Sequence, residues 1–372
     1  MELLDFFLGI LHQQWRLVTA TLLVAFALPL LSILLSRSRR RSRCSNPALH
    51  LPPGPRKLPF LGNLHQIGPL PHRSLRELAR QYGPVMLLRL GSVPTVMVSS
   101  PEAAREVMST HDAHCCSRPS MPGPRRLTYE YKDVAFAPYG DHFRERRKLL
   151  ILELLSMRRV QAAWDAREAQ DTFIGGINTS AVTMVWALSE MIRHPTVLKS
   201  VQDEIRAVVG NKQRVSRDDV AKFRRLKMVV KETFRLHPPL PLLLPRETIQ
   251  QVNIIGYDVP ANTRIIVNAW AISRDPSIWE DPEVFNPERF KGSKTDFNGT
   301  HFEFTPFGSG HRICPGMAKA VANMEFTLAN LLYCFDWELP HGVRKEDISM
   351  QEAGSLAFQK KMQLVLVPRR VQ

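Results

Sequence analysis

Phe307-Gly-Ser-Gly310-His-Arg312-Ile-Cys314-Pro-Gly316 is a glycine-rich loop that carries one cysteine and opens directly into an apolar run with helical spacing. A cysteine on a sharp turn at a helix N-terminus meets the positive end of the helix dipole and a set of backbone N–H groups. Both favour the thiolate that a metal requires. The stretch therefore reads as the cradle of a haem iron with Cys314 as its ligand. Gly308, Gly310 and Gly316 are expected at positive φ, leaving room for a flat cofactor to approach the backbone. Arg312, two residues before the sulfur, is placed to pair with a haem propionate, and Phe307 to cover the sulfur and keep water off it. Two other readings compete. Most single cysteines are small buried hydrophobes, and Gly308-Ser-Gly310 has the look of a dinucleotide fingerprint. That fingerprint fails, because Ile313 holds its third glycine position and no strand-like run leads into it.

The chain has 372 residues, 44% of them apolar, enough to bury a large core. A formal charge of +15 implies an anionic partner. Nucleic acid is not indicated: there is no zinc-finger spacing, RNP-like aromatic box or helix-turn-helix signal. A membrane surface and an acidic protein fit better. Five cysteines without paired spacing argue for a reducing compartment. His111, His114, Cys115 and Cys116 crowd together, but four ligands in six residues do not match the usual zinc spacings.

Residues 17–35 form an uncharged run long enough to cross a bilayer as a helix. Arg37, Arg39, Arg40, Arg41 and Arg43 follow it, against a lone Arg16 before it, which predicts a cytosolic domain. The expected organisation is a short lumenal segment 1–16, an anchor 17–36, a basic and proline-rich linker 37–60, and a domain 61–372.

Within that domain, 85–90 and 95–98 read as a β-hairpin, and Pro101 opens helical spacing. Asp141 is expected to cap a basic helix to about Leu155, with Phe143 and Arg147 on one face. A long helix is expected over 170–192 with Gly175 and Gly176 inside it, an arrangement that leaves room for a ligand against the backbone. Asn178 and Thr179 lie just beyond, with polar groups for a water or dioxygen; a close helix crossing explains the glycines equally well. Ser216 and Asp219 have capping-box spacing, with Asp a weaker partner than Glu. Glu232 and Arg235 share a helix face in apolar surroundings before a proline stop, and Arg289 in Pro287-Glu-Arg289-Phe290 offers a second cation to the same carboxylate. Strands are expected at 240–246, 252–257 and 263–267, a helix over 317–333, and a strand-like close over 356–367.

Taken in order, the arginine-rich segment, the Pro-Pro-Gly-Pro hinge, Glu232-x-x-Arg235, Pro287-Glu-Arg289-Phe290 and the cysteine loop resemble a plant microsomal cytochrome P450. Cys115-Cys-Ser-Arg-Pro119 and Val259-Pro-Ala-Asn-Thr263 are especially similar to grass members that act on an aldoxime. The resemblance implies a mainly α fold with small β-sheets and a haem b with Cys314 as axial thiolate. It implies Thr179 steering protons, Arg147, Arg246 and Arg312 on the propionates, and a structural triad of Glu232, Arg235 and Arg289. Electrons would come from NADPH through a cytochrome reductase docked on the basic side, including the helix around Arg144 to Lys148, and the chain would sit in the endoplasmic reticulum membrane. The substrate would be a small hydrophobic or amphipathic metabolite.

Three departures stand out. Phe143 replaces a tryptophan that donates to a propionate. Asn178 stands where an acid usually precedes the oxygen-activating threonine. The family's central helices, which roof the substrate pocket, have no counterpart, as if an internal deletion near 160–172 had joined Arg167-Glu-Ala-Gln to Asp171. That leaves an alternative: a membrane-anchored chain without turnover.

Overall fold

Proline and glycine set most of the element ends. The computed structural model describes residues 49–155, 174–354 and 357–371. The expected anchor, the arginines after it and the seam at 160–172 lie outside these. Helix α1 (Pro71–Tyr82) starts with proline in its first turn and stops at Gly83, at φ 98°. The hairpin follows as β1 (Val85–Leu90) and β2 (Val93–Val98), turning at Gly91. Helix α2 (Pro101–Arg105) continues as a π-helical turn, Glu106–Thr110, and then α3 (Asp112–Cys115) and α4 (Pro122–Leu127). The basic helix α5 (Asp141–Leu149) also ends in a π-helical turn, Leu150–Leu154. The long helix α6 (Ile174–Arg193) gives way at His194 to α7 (Pro195–Val209), which ends at Gly210 with φ 63°. Short α8 (Arg217–Lys222) leads to α9 (Arg225–Leu236), where Pro238 and Pro239 forbid continuation.

Helix α9 is the packing centre. Its Leu226, Val229, Val230 and Phe234 are buried with Ala187 and Met191 of α6, Val201 and Ile205 of α7, and Met324 and Leu328 of a later helix. A second core lies on the sheet: β2 pairs antiparallel with β1 and parallel with β6 (Arg264–Val267), which pairs antiparallel with β3 (Arg246–Glu247). Pro94 is tolerated in β2 because β6 pairs only from Thr95 onward. Small pairs complete the fold: β4 (Val252–Ile254) with β5 (Tyr257–Val259), and β7 (Phe335–Glu338) with the C-terminal strand Val367–Arg370, while short α10 (Ala269–Ile272) follows β6.

Helix α9 is tied to the loop beyond the sheet by one buried carboxylate. Glu232 receives Arg235 Nε and Nη2, both at 2.8 Å, Arg289 Nε at 3.1 Å and the Asn286 amide at 2.9 Å. The remaining Arg235 donors reach the carbonyls of Ser273 and Pro282, and those of Arg289 reach Glu280 and Asp281. Arg235 and Glu232 have no exposed side-chain surface. Three other Glu-x-x-Arg pairs have the same spacing, but this one is enclosed and carries two cations.

Several expectations are corrected. Residues 50–60, assigned to the linker, pack on the hairpin: Leu87 N donates to Pro53 O at 2.8 Å, and a side chain at Gly54 would collide with the Leu87 carbonyl. The strand expected over 240–246 shrinks to Arg246–Glu247, since Pro241 and Pro245 have no N–H and Leu243 sits at φ 51°. The run 252–257 divides at Ile255 and Gly256, both at positive φ, as a tight hairpin turn demands. Among the described residues of 356–367, strand pairing is limited to Gln359–Lys360 and to the start of Val367–Arg370. Gly140, not Asp141, is the cap residue of α5. The Ser216–Asp219 box is complete, with Asp219 Oδ2 accepting from Ser216 N at 3.0 Å and a further bond from Lys212.

Glu232→Gln leaves two guanidinium groups sharing one neutral acceptor. A loss of about 3–5 kcal/mol is expected in urea unfolding, the scale for breaking a buried ion pair. Glu352 offers a pH test. Burial pushes its carboxyl up, but the bond from His72 and the charges of His72 and Arg73 outweigh this and bring it from 4.5 to about 2. Its contribution is therefore full above pH 4.5 and disappears as the pH falls toward 2. Glu352→Gln should flatten the acid limb of the stability profile over that window, measured by urea midpoints.

Candidate functional site

The cysteine loop is wound by its own backbone. Gly308 and Gly310 sit at φ 69° and 67°, in the left-handed region that suits glycine. A 3-10 turn, Gly310–Arg312, follows, and Cys314 N donates to Phe307 O at 2.9 Å. Gly316 departs from expectation: its φ is −90°, because it is the residue leading into α11 (Met317–Cys334). Its N–H and that of Met317 both point at the Cys314 sulfur. Burial pushes the thiol up, while these two N–H groups and the Arg147 charge pull it back, leaving it above its ordinary value. A bound cation would complete the shift to thiolate. The Phe307 ring packs edge-on against Phe234 of α9 at 4.9 Å, and so secures the loop to the core.

The arginines expected on the propionates gather around this loop, where each currently holds backbone. Arg147, on α5, donates Nη2 to Ile313 O at 2.6 Å. Arg246, at the start of β3, donates Nη2 to Ser309 O at 2.7 Å and Nη1 to Asp112. Arg312 donates Nε to Cys116 O at 2.7 Å and Nη2 to Ala137 O at 2.6 Å, and lies 3.7 Å over the Phe143 ring. The phenyl in place of an indole therefore serves as a platform for that cation. Burial lowers Arg312 to about 10. Burial also holds Arg118 well below the usual range, and the charges of Arg312 and Arg246 lower it further.

Arg118 and Asp112 were missed in the sequence. Arg118 donates to the carbonyls of Ala135, Leu244 and Pro245. The Arg-Pro step after Cys116-Ser117 was the one available signal. Asp112 had none, because its partners are 134 and 199 residues away. Four buried or half-buried guanidinium groups thus surround the loop; Asp112 answers the charge of Arg246, and the carbonyl oxygens that hold the others cannot neutralise them. This excess of positive charge, beside a sulfur with two N–H donors, fits an iron porphyrin carrying two carboxylates. Cys314 would hold the iron, and Arg147, Arg246 and Arg312 the propionates.

The other candidates are less closely joined. Thr179 is half-buried on α6, its carbonyl accepting from Thr183 Oγ1 at 2.7 Å, and Asn178 is exposed. Helix α6 packs on α9 and α11, which places both residues on an element adjacent to the cysteine helix. Cys115 and Cys116 are buried thiols, raised by burial to about 12 and about 11, and so stay protonated.

Comparison with known proteins identifies the family. The cytochrome P450 family model matches residues 52–167 and 165–366. A 4-hydroxyphenylacetaldehyde oxime monooxygenase of Sorghum bicolor is 43% identical over 516 aligned positions, covering 97% of each chain. A 2-methylbutanal oxime monooxygenase of Manihot esculenta is 34% identical, covering 97% of this chain and 98% of its own. A zebra fish cytochrome P450 structure with abiraterone superposes with a TM-score of 0.70 at 22% identity, covering 81% of this chain and all of the other, which is a likeness of fold. The chain belongs to the cytochrome P450 family of haem-thiolate monooxygenases.

Proposed function

We propose that the substrate is a small amphipathic plant metabolite of the aldoxime class, oxidised at a haem b held by Cys314. The observation that carries the reading is the sulfur with its two N–H donors beside the buried arginine cluster, together with two oxime monooxygenases among the relatives. A thiolate-ligated haem supplies activation of O₂ for transfer of one oxygen atom, the other leaving as water. Electrons come from NADPH through a cytochrome reductase docked on the basic side of the domain. Arg147, Arg246 and Arg312 bind and orient the porphyrin carboxylates. Phe307 shields the sulfur from water. Thr179 holds a proton-bearing hydroxyl on α6, and Asn178 offers an amide that hydrogen-bonds without ionising. Glu232, Arg235 and Arg289 keep α9, and through Phe234 the cysteine loop, in place. Residues 17–36 anchor the chain in the endoplasmic reticulum membrane with the domain in the cytosol.

A second reading concerns turnover. The Sorghum alignment has 516 positions on a chain of 372 residues, so the relative carries a long segment that this chain lacks. The two pieces of the family match meet at 165–167. On either side of that seam, Leu149 and Leu152 are 57% and 54% exposed and Val185 is 37% exposed. Exposed apolar side chains beside the seam are in keeping with a missing cover there. This supports a chain that descends from a monooxygenase but has lost its pocket roof.

A reduced-CO difference spectrum of the expressed chain decides between them. A thiolate-shifted Soret band is expected under the first reading, and its absence supports the second. Inserting the Sorghum segment at the seam then restores the band. Cys314→Ala abolishes it in whichever form shows it; an unchanged band would remove Cys314 as the ligand.

A further inference from the structure

We propose that Asp112 is a positioning residue for the haem-thiolate site, fastening Arg246 and the Gly310–His311 turn with one buried carboxylate. Its bearing on the haem rests on the haem-thiolate reading; its hold on the loop does not.

Asp112 opens α3 and is 5% exposed. Its two oxygens are divided. Oδ1 accepts from Arg246 Nη1 at 2.5 Å. Oδ2 accepts from the His311 backbone N–H at 2.5 Å and lies 2.8 Å from His311 Nδ1. One short side chain thus joins three separate parts of the chain: the helix at 112, the strand at 246 and the loop at 311.

The loop is shaped around this carboxylate. A methyl group at Gly310 would overlap Asp112 Oδ2 and the Met108 carbonyl, so the glycine is required for space as well as for its φ of 67°. Arg246 is gripped at both ends, by Asp112 and by Ser309 O. A guanidinium held so is oriented before any propionate arrives, and less side-chain freedom is lost on binding. Among the described residues, Arg246 alone of Arg118, Arg147, Arg246 and Arg312 is ion-paired with a carboxylate. The charged and titratable groups facing Asp112 are Arg246, His311, Arg312, Arg147, Cys115 and Cys116. Removing the anion therefore leaves a more positive surround beside the iron site.

Amide hydrogen exchange on the full chain without haem tests the loop. Asp112→Asn keeps the shape but turns one acceptor into a donor facing a donor. Exchange at His311, Ile313 and Cys314 is expected to quicken at least tenfold, with α9 amides within twofold of wild type. Gly310→Ala, which drives a methyl into the same carboxylate, should give the same local signature. Loop rates within twofold of wild type, or an equal rise in α9, would overturn the proposal. With haem bound, Asp112→Asn is expected to raise the ferric/ferrous midpoint potential. An unchanged potential with a loosened loop would reduce Asp112 to a brace and overturn its positioning role. A wild-type chain that takes up no haem refutes the haem-thiolate reading instead, and the exchange rates still decide the loop.

Discussion

The fold depends on the enclosure of Glu232 between Arg235 and Arg289. A carboxylate with no exposed surface is stable only when its charge is matched and its lone pairs are filled, and here four donors do so. The two guanidinium groups use their remaining donors on the carbonyls of 273–284, so helix α9 and the loop beyond the sheet become one body. Helix α9 in turn presents Phe234 to Phe307, the first residue of the cysteine loop. The position of the sulfur therefore traces back to a buried ion cluster that never touches it.

The site repeats the same physics with the balance tilted. Around the cysteine loop the cations outnumber the carboxylates: Asp112 pairs with Arg246, while Arg147 and Arg312 are held by carbonyls that satisfy hydrogen bonds without cancelling charge. Arg312 is brought down to about 10 by burial. A site that keeps such a surplus is suited to a dianionic guest, whereas the Glu232 cluster is complete in itself.

Much of this was legible along the chain because the signals were local. Gly308 and Gly310 before a lone cysteine, a helix-spaced run after it, and proline stops at 195 and 238 all act within a turn or two of backbone. The strand expectations failed where apolar content was read without counting N–H donors, as at Pro241 and Pro245. The two π-helical turns, at 106–110 and 150–154, left no recognised trace, since one extra residue in a helix barely alters the apolar spacing.

By itself the sequence singled out Cys314 as the candidate iron ligand, and it determined the carboxylate–arginine pair on α9 and the family, because each is written in residues close together or in a fixed order. Tertiary structure alone decided which arginines surround the loop, that Phe143 underlies Arg312, and that Asp112 reaches both Arg246 and His311. Those contacts join positions 63 to 199 residues apart. The reason is physical: side-chain spacing along a helix or turn is set by backbone geometry, whereas the meeting of distant elements is set by how their apolar faces and buried charges are jointly satisfied.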